Sequence, residues 1–392
     1  MERLSQSPTD PAFVQDPYPF YARARAAGHF VHWEDYGVPC AVSHAAVTAC
    51  LKDRRLGREA PPERAETPPA HLQTFYRIEA NSMLELEPPR HTRLRRLVLK
   101  AFTSRAIAAL APEIEALAMG LIAAMPGDRP SDLLDTFARP LPVTVIARLL
   151  GVPDGAAPDL LRWSNAMVAM YQARRTRAEE DAAERATAEF IDFLSDHLAR
   201  RRKAPGDDLL SRLIAAEDDG ETLSNDELLA TAILLLNAGH EATVHSLGNG
   251  LKLLVETGTH DVTEATVEEL LRLDPPLHIF QRWVYEDVEI CGTRFARGDR
   301  ISCVLGSANR DAAAYPDPDR FDPGRHGPAH VAFGAGLHFC VGAPLARLEL
   351  LIGLRALRRH LPGLRLAEAP RYADIYHFHG LERLMVLPGP MA

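Results

Sequence analysis

The sequence predicts a mainly α-helical protein with small β-sheet regions, organised as one domain over residues 1–392, and three observations lead there. From about Pro88 to Glu256 the chain reads as successive amphipathic helices rich in Ala, Leu, Arg and Glu, separated by the turn signals "PGDRPSD", "GVPDGAAPD", "RKAPGDD" and "EDDGETLSNDE". One run within it, Ser224 to Val255, keeps helical periodicity throughout, about 45 Å at 1.5 Å per residue. The two ends carry instead short alternating or β-branched runs around glycine, the pattern of hairpins.

In chain order, "HFVHWEDYGVPCAVS" is the first predicted hairpin and "VEICGTRFARGDRISCVLGSA" the second, with further strand-like pieces in "LRLAEAPRY" and "ERLMVLPG". The pieces at the two ends are expected to meet in one small sheet region. Ser224 with Glu227 three residues later forms a capping box that opens the long helix. In the middle of that helix, "NAGHEAT" interrupts the apolar stripe: Ala238 and Gly239 remove side-chain bulk, and Asn237, His240 and Glu241 add polarity. Glycine inside a helix costs about 1 kcal/mol relative to alanine. Two readings account for it, a close helix crossing or a ligand lying against the helix.

Composition narrows the function. The chain is 46% hydrophobic and 25% charged, with a formal net charge of −9, so nucleic acid and anionic membranes are not expected partners. The amino-terminal stretch has acids and prolines where a signal peptide needs a basic and then an apolar segment, so a cytoplasmic location is expected. The run Leu228 to Leu236 is too short to cross a bilayer, which takes roughly 20 apolar residues. Five scattered cysteines, Cys40, Cys50, Cys291, Cys303 and Cys340, form neither a metal-binding pair nor a disulfide framework.

Cys340 stands apart, because it sits in the glycine-studded loop "VAFGAGLHFCVGAPLARLE" directly before a helix. A single thiolate cannot build a four-ligand zinc site, but it can be the sole axial ligand of a haem. Gly334, Gly336 and Gly342 let the backbone turn tightly and approach a flat macrocycle, and the helix that follows points its positive end at the sulfur.

This loop resembles the haem-binding signature of the cytochrome P-450 superfamily: Phe333, Gly334, Gly336, His338, Cys340 and Gly342 occupy all of its fixed positions. The resemblance implies the cytochrome P-450 fold with a long central helix over the haem, haem b (iron protoporphyrin IX) as cofactor, and Cys340 as the axial thiolate and metal ligand. It implies that Glu269 and Arg272 of "EELLR", with Arg320 of "DPDRF", form a buried ion network behind the haem loop. His91 and Arg95 of "HTRLRRL", Arg282 of "FQRWVYEDVEI" and His338 are the implied partners of the haem propionates, with Ala238 against the haem.

The long helix departs from the family pattern of small residue, Gly, any residue, acid, Thr: here Ala238, Gly239, His240 and Glu241 are followed by Ala242, and Thr243 comes only afterwards. The usual hydroxyl helps deliver the protons that cleave dioxygen. Thr243 lies about 100° further round the helix and does not replace it without a local bulge. A water held by Glu241, a hydroxyl on the substrate, or a different haem reaction are the three explanations. Glu241, Ala242 and Thr243 are therefore the candidate catalytic positions.

By family position the substrate pocket is expected to draw on Phe75, Met83, Leu84, Leu235, Ala238, His278, Ile279, Phe280, Tyr376 and Phe378, mostly apolar walls that suit a small to medium lipophilic substrate. Core packing accounts for any one of them equally well. The segment between "GNG" and "VEELLR" is shorter than usual, so one surface helix is expected to be trimmed. No flavin or iron–sulfur motif is present, so electrons are expected from a separate ferredoxin-type donor and its reductase. Arg93, Arg96, Lys100, Arg347, Arg355, Arg358 and Arg359 are the candidate basic patch for it. The leading reading is an O₂-dependent haem-thiolate monooxygenase. A peroxide-driven peroxygenase or non-oxygenating haem-thiolate enzyme is the alternative, and a haem-based binder or sensor is the second.

Overall fold

The computed structural model describes residues 1–172, 175–375 and 378–389, so Tyr376 lies outside the described residues. In chain order the elements that position the site are β1 (Glu2–Leu4), α1 (Tyr18–Ala27), β2 (Phe30–Trp33), β3 (Val38–Ala41), α2 (His44–Lys52), β4 (Leu56–Gly57), α3 (Arg90–Ala101) and α4 (Arg177–Lys203). There follow α5 (Asn225–Glu256), α6 (Glu264–Leu273), β5 (Ile279–Val284), β6 (Arg300–Val304) and α7 (Ala343–His360). Polar side chains open several helices as their sequences require. Ser43 caps α2, Thr176 and Glu179 form a capping box on α4, and Thr263 and Thr266 form one on α6. Ser224 and Glu227 bond reciprocally at the start of α5, at 3.2 and 2.8 Å.

The chain divides into two compact units: Met1–Arg64 with Glu115–Ala138 and Ala242–Ala392, and Ala65–Ile114 with Arg139–Glu241. The boundary falls inside the continuous helix α5, between Glu241 and Ala242.

The first unit is built on a six-stranded sheet in the order β1-β2-β3-β6-β5-β4. The first predicted hairpin is present as β2 and β3, paired antiparallel from Phe30↔Ala41 to Trp33↔Val38. Alternation along the strands divides the core between the two faces. Phe30, Ala41, Ile301, Cys303 and Val284 join α2 residues Val47, Cys50 and Leu51 in one cluster. Val31, Trp33, Cys40 and Val304 join Phe13, Phe20 and Tyr21 in the other. The carboxyl-terminal strands do not enter this sheet. They form two small sheets of their own, one of them including Ser131–Asp132. Helix α5 is followed by α6 with only Thr257 to Thr263 between them and no helix in that stretch, as the short connection predicts.

The second unit is helical. Helix α4 packs on Ala157–Val168 with Trp163 stacked on Phe190 at 5.1 Å. Helix α3 is tied to the start of α5 by Arg93, whose guanidinium donates to Glu227 at 2.9 and 3.1 Å.

Ser104–Ala124 has the length and composition of a membrane-crossing helix, a segment the inspection of Leu228–Leu236 alone does not reveal. Its helical structure is interrupted at Ala109 and Leu110, between Ser104–Ala108 and Ala111–Ala124. Ile114, Ala118 and Ile122 bury one stripe while Glu113 and Glu115 remain accessible, the pattern of an amphipathic surface helix.

Candidate functional site

The Cys340 loop owes its shape to glycine at two points. Gly334 and Gly336 sit at φ +69° and +70°, where a side chain is strained. At Gly336 a Cβ would also lie 2.5 Å from the Leu51 carbonyl oxygen at the end of α2, so only glycine lets the loop rest there. The turn is closed by backbone bonds from Gly334 N–H to Val331 O (2.8 Å), Phe339 N–H to Gly336 O (3.1 Å) and Cys340 N–H to Phe333 O (3.0 Å). Helix α7 starts at Ala343, and a Cβ on Gly342 would stand 3.8 Å from the Cys340 sulfur. The thiol is exposed, next to the amino-terminal end of an 18-residue helix. Cys40, Cys50 and Cys303 are buried instead, and Cys291, also exposed, lies in a hairpin turn.

Two ionic clusters hold this loop. Arg347 of α7 donates to Glu268 of α6 at 2.5 and 2.8 Å, and its guanidinium lies 4.6 Å from the Phe333 ring centre. Burial opposes ionisation of Glu268, but Arg347 and His330 outweigh it and bring its carboxyl down to about 2. In the second cluster Glu269 takes a bidentate pair of bonds from Arg272 at 2.7 and 2.8 Å, both side chains almost wholly buried. Arg272 also donates to the carbonyls of Asn309 and Pro318, at 2.7 and 2.8 Å. The Asn309 side chain in turn accepts from Val331 N–H at 2.8 Å, which carries the cluster to the start of the loop.

The expected third member, Arg320, does not join through its side chain, which is 66% exposed and pairs with Asp322. Arg325 takes the place, 3.1 Å from Glu269, while Arg320 contributes only its carbonyl to Arg272. The "DPDRF" turn points the Arg320 side chain outward, and the chain returns to Glu269 five residues later.

On β5, Phe280, Arg282 and Val284 share one face. Phe280 packs toward Gly334, 3.7 Å from the position of a Cβ there, and Arg282 is buried on the same face. His338 is half-buried in the loop itself. In the second unit His91 is buried and Arg95 half-buried, four residues apart on one face of α3.

Along α5, residues Leu235 to Asn237 and Thr243 to Gly250 are buried, yet Ala238 is exposed and Gly239, Glu241 and Ala242 are half-exposed. The small residues thus mark an accessible face in an otherwise packed helix. Thr243 is 3% exposed and does not share that face. His240 Nδ1 lies 3.7 Å from Glu241. The Ser246 hydroxyl donates to the Ala242 carbonyl at 2.8 Å.

The expected pocket residues have different fates. Phe75 and Met83 are buried in the second unit and Leu84 is half-exposed there; the Phe75 N–H donates to Glu184 at 2.9 Å. Phe378 is half-buried, bridged to Leu277, with its ring 5.4 Å from that of His245. His278 and Ile279 are turned elsewhere. His278 Nδ1 bonds the Tyr21 hydroxyl at 2.9 Å, and Ile279 belongs to the Phe13–Trp33 core, because the pleat of β5 sends Phe280 the other way. Burial, reinforced by His379, holds His278 well below the ordinary imidazole range.

Sequence reasoning missed the Asp274 cluster. Asp274 accepts from Tyr18 at 2.8 Å, Tyr372 at 2.6 Å and His379 Nδ1 at 2.8 Å; burial raises its carboxyl, but His379, Tyr372 and Arg310 outweigh this and hold it below the usual range. Asp274, His278 and His379 place donor atoms within 4.8 Å of one another, as a cation site does. The carboxylate is already engaged by three donors, and the Arg310 guanidinium lies over the Tyr18 ring, so the group is a hydrogen-bonded stack. Its signals were the aspartate ending α6 and the "DPYPFY" aromatics.

Glu349 of α7 is 2% exposed, and burial raises its carboxyl from 4.5 to about 8. The folded state then keeps a proton that the unfolded chain releases, so stability falls as pH rises from about 4.5 to 8 and levels beyond. Glu349→Gln is expected to flatten this slope, gaining roughly 3 °C in Tm at pH 8 relative to pH 6. Parallel thermal melts with identical pH slopes would contradict it.

These features define a protein that presents Cys340, exposed, on a glycine loop braced by buried ion pairs. Residues 261–361 match the family model described as Cytochrome P450. The monooxygenase PikC of Streptomyces venezuelae is 39% identical, covering 96% of this chain and 91% of PikC, and the vitamin D(3) 25-hydroxylase of Pseudonocardia autotrophica is 38% identical over 96% and 95%. The solved structure of PksS, from the bacillaene polyketide synthase of Bacillus subtilis, superposes with a TM-score of 0.88 at 32% identity, over 98% of this chain and all of that one.

The chain belongs to the cytochrome P-450 family and is a monooxygenase of bacterial type. Its cofactor is protoporphyrin IX haem, and Cys340 supplies the axial thiolate. The residues present fit that group: an accessible soft donor, glycines that leave room beside it, and a buried arginine on the sheet face that meets the loop.

Proposed function

We propose that this enzyme hydroxylates, or oxidises in a related way, a small to medium lipophilic substrate, using electrons from a separate ferredoxin and reductase in the cytoplasm, with residues 1–392 acting as one catalytic domain. Haem, when bound, would supply the redox chemistry on O₂, with Cys340 as its thiolate donor. Arg282, His91, Arg95 and His338 hold the propionates through charge-assisted bonds. The names of relatives, a vitamin D(3) hydroxylase and an enzyme of polyketide biosynthesis, support a lipophilic substrate.

The observation that carries this reading is the accessible face of α5. Glu241 and Ala242 are accessible on it and Thr243 is buried off it, which supports the first two as the residues that meet the reaction. Proton delivery then passes through a water held by Glu241 together with a hydroxyl of the substrate. Ala242→Thr tests this: the product formed per NAD(P)H consumed is expected to change with the native substrate. An unchanged ratio would show that position 242 has no part in proton delivery. Parallel assays with peroxide alone separate the peroxygenase alternative, which the same Ala242 motivates.

The basic patch expected for the electron donor is largely balanced within the protein. Arg93 pairs with Glu221 and Glu227, Arg96 and Lys100 both pair with Asp218, and Arg347 pairs with Glu268. Arg355 and Arg358 donate to the carbonyls of Val262 and Thr259, and of the seven only Arg355 and Arg359 are exposed with no acidic partner among the described residues. Docking by charge steering therefore rests on fewer free cations than the sequence count gives.

A further inference from the structure

His379 is tethered through its backbone and one ring nitrogen. Its N–H donates to Pro276 O at 2.7 Å, its carbonyl accepts from Asn249 of α5 at 2.8 Å, and its Nδ1 meets Asp274 at 2.8 Å. Its ring is sandwiched between Tyr372, 3.8 Å away, and His278, 4.6 Å away. Gly380 follows because a Cβ there would collide with the His245 ring at 1.9 Å. The immediate neighbour of this anchor is Phe378, which is bridged to Leu277 and lies against His245. His245 and Ala242 are three residues apart on one face of α5.

Two features show that this anchor is more than packing. Asp274 occupies the C-cap of α6, where the helix dipole disfavours a negative charge, so a carboxylate there is costly unless donors surround it. The Nε2 of His379 is buried with no hydrogen-bond partner, a cost that a phenylalanine in the same stack would avoid. What imidazole adds is the Nδ1 link to Asp274.

We propose that His379, anchored on Asp274, is a positioning residue for substrate recognition: it fixes Phe378 against His245, one turn of α5 from Ala242, and so sets the fit of whatever lies against that face. The proposal rests on the reading that Phe378 and Ala242 face the substrate, and the test separates the two. Imidazole and 4-phenylimidazole both ligate haem iron, but only the second reaches beyond it to the surrounding walls. Titrated by the Soret shift on the holoenzyme, His379→Phe is expected to weaken 4-phenylimidazole about tenfold relative to imidazole. His379→Asn, whose amide can donate to Asp274, is expected to restore most of the loss.

Phe378→Ala is the reference. If it shifts the ratio of the two dissociation constants and His379→Phe does not, the positioning role is overturned while the pocket reading stands. If Phe378→Ala leaves the ratio unchanged, the pocket reading fails and the proposal with it. Should His379→Phe lose haem, Tyr372→Phe removes one donor to Asp274 at nearly constant volume. A shifted ratio in that variant supports the proposal, and an unchanged ratio overturns it.

Discussion

Replacing Cys340 with serine is expected to abolish monooxygenase turnover while leaving the chain folded. The loop's shape is set by Gly334, Gly336 and three backbone hydrogen bonds, none of which uses the sulfur. Serine is nearly isosteric, so the loop retains its seat on α2 and its junction with α7. A hydroxyl beside a helix N-terminus does not ionise near neutral pH as a thiol can, and the electron push that favours O–O cleavage is lost with the thiolate. The measurement is the reduced, carbon-monoxide difference spectrum, read beside circular dichroism. A thiolate-type Soret band in Cys340→Ser would refute the assignment of Cys340 as the ligand.

Arg272→Met is expected to be the most destabilising single change in the first unit. It leaves Glu269 buried with Arg325 and the Asp322 N–H as its remaining donors, and strips the Asn309 and Pro318 carbonyls of theirs. Removing one partner of a buried pair costs about 3–5 kcal/mol. For a chain of this size that corresponds to a fall in Tm of roughly 4–6 °C. Because Asn309 also holds Val331 at the start of the loop, haem retention is expected to fall with it. Arg320→Ala is the contrast: its side chain is exposed, so the expected change is within about 0.5 kcal/mol. Equal losses from the two substitutions would show that the network is centred on Arg320 after all.

Much of this was legible in the residues. The loop could be read because its demands are local: a positive φ needs glycine, a thiolate needs cysteine, and the spacing between them is fixed by a few bonds. The capping box at Ser224 and the hairpin at Phe30–Ala41 were readable for the same reason. What depended on contacts distant in sequence was not. Arg320 and Arg325 both follow "DPD" within a few residues, and only the path of the turn decides which reaches Glu269. Ile279 and Phe280 are adjacent in an apolar run, and the pleat of one strand sends the first into the core, while His278 just before the strand is held by Tyr21 from the amino-terminal helix. Asp274 and His379 are more than one hundred residues apart and meet only in the folded chain. A count of basic residues likewise carried no information about which acids had already claimed them.

The bonding of the Cys340 loop bears on what can be varied at its tip. Its amides at Gly334, Phe339 and Cys340 are satisfied by Val331, Gly336 and Phe333, and Asn309 fixes its entrance, so the frame of the turn is written in main-chain bonds. The side chain at position 340 is a passenger on that frame, open to exchange for other donor chemistries while the turn around it stays as it is.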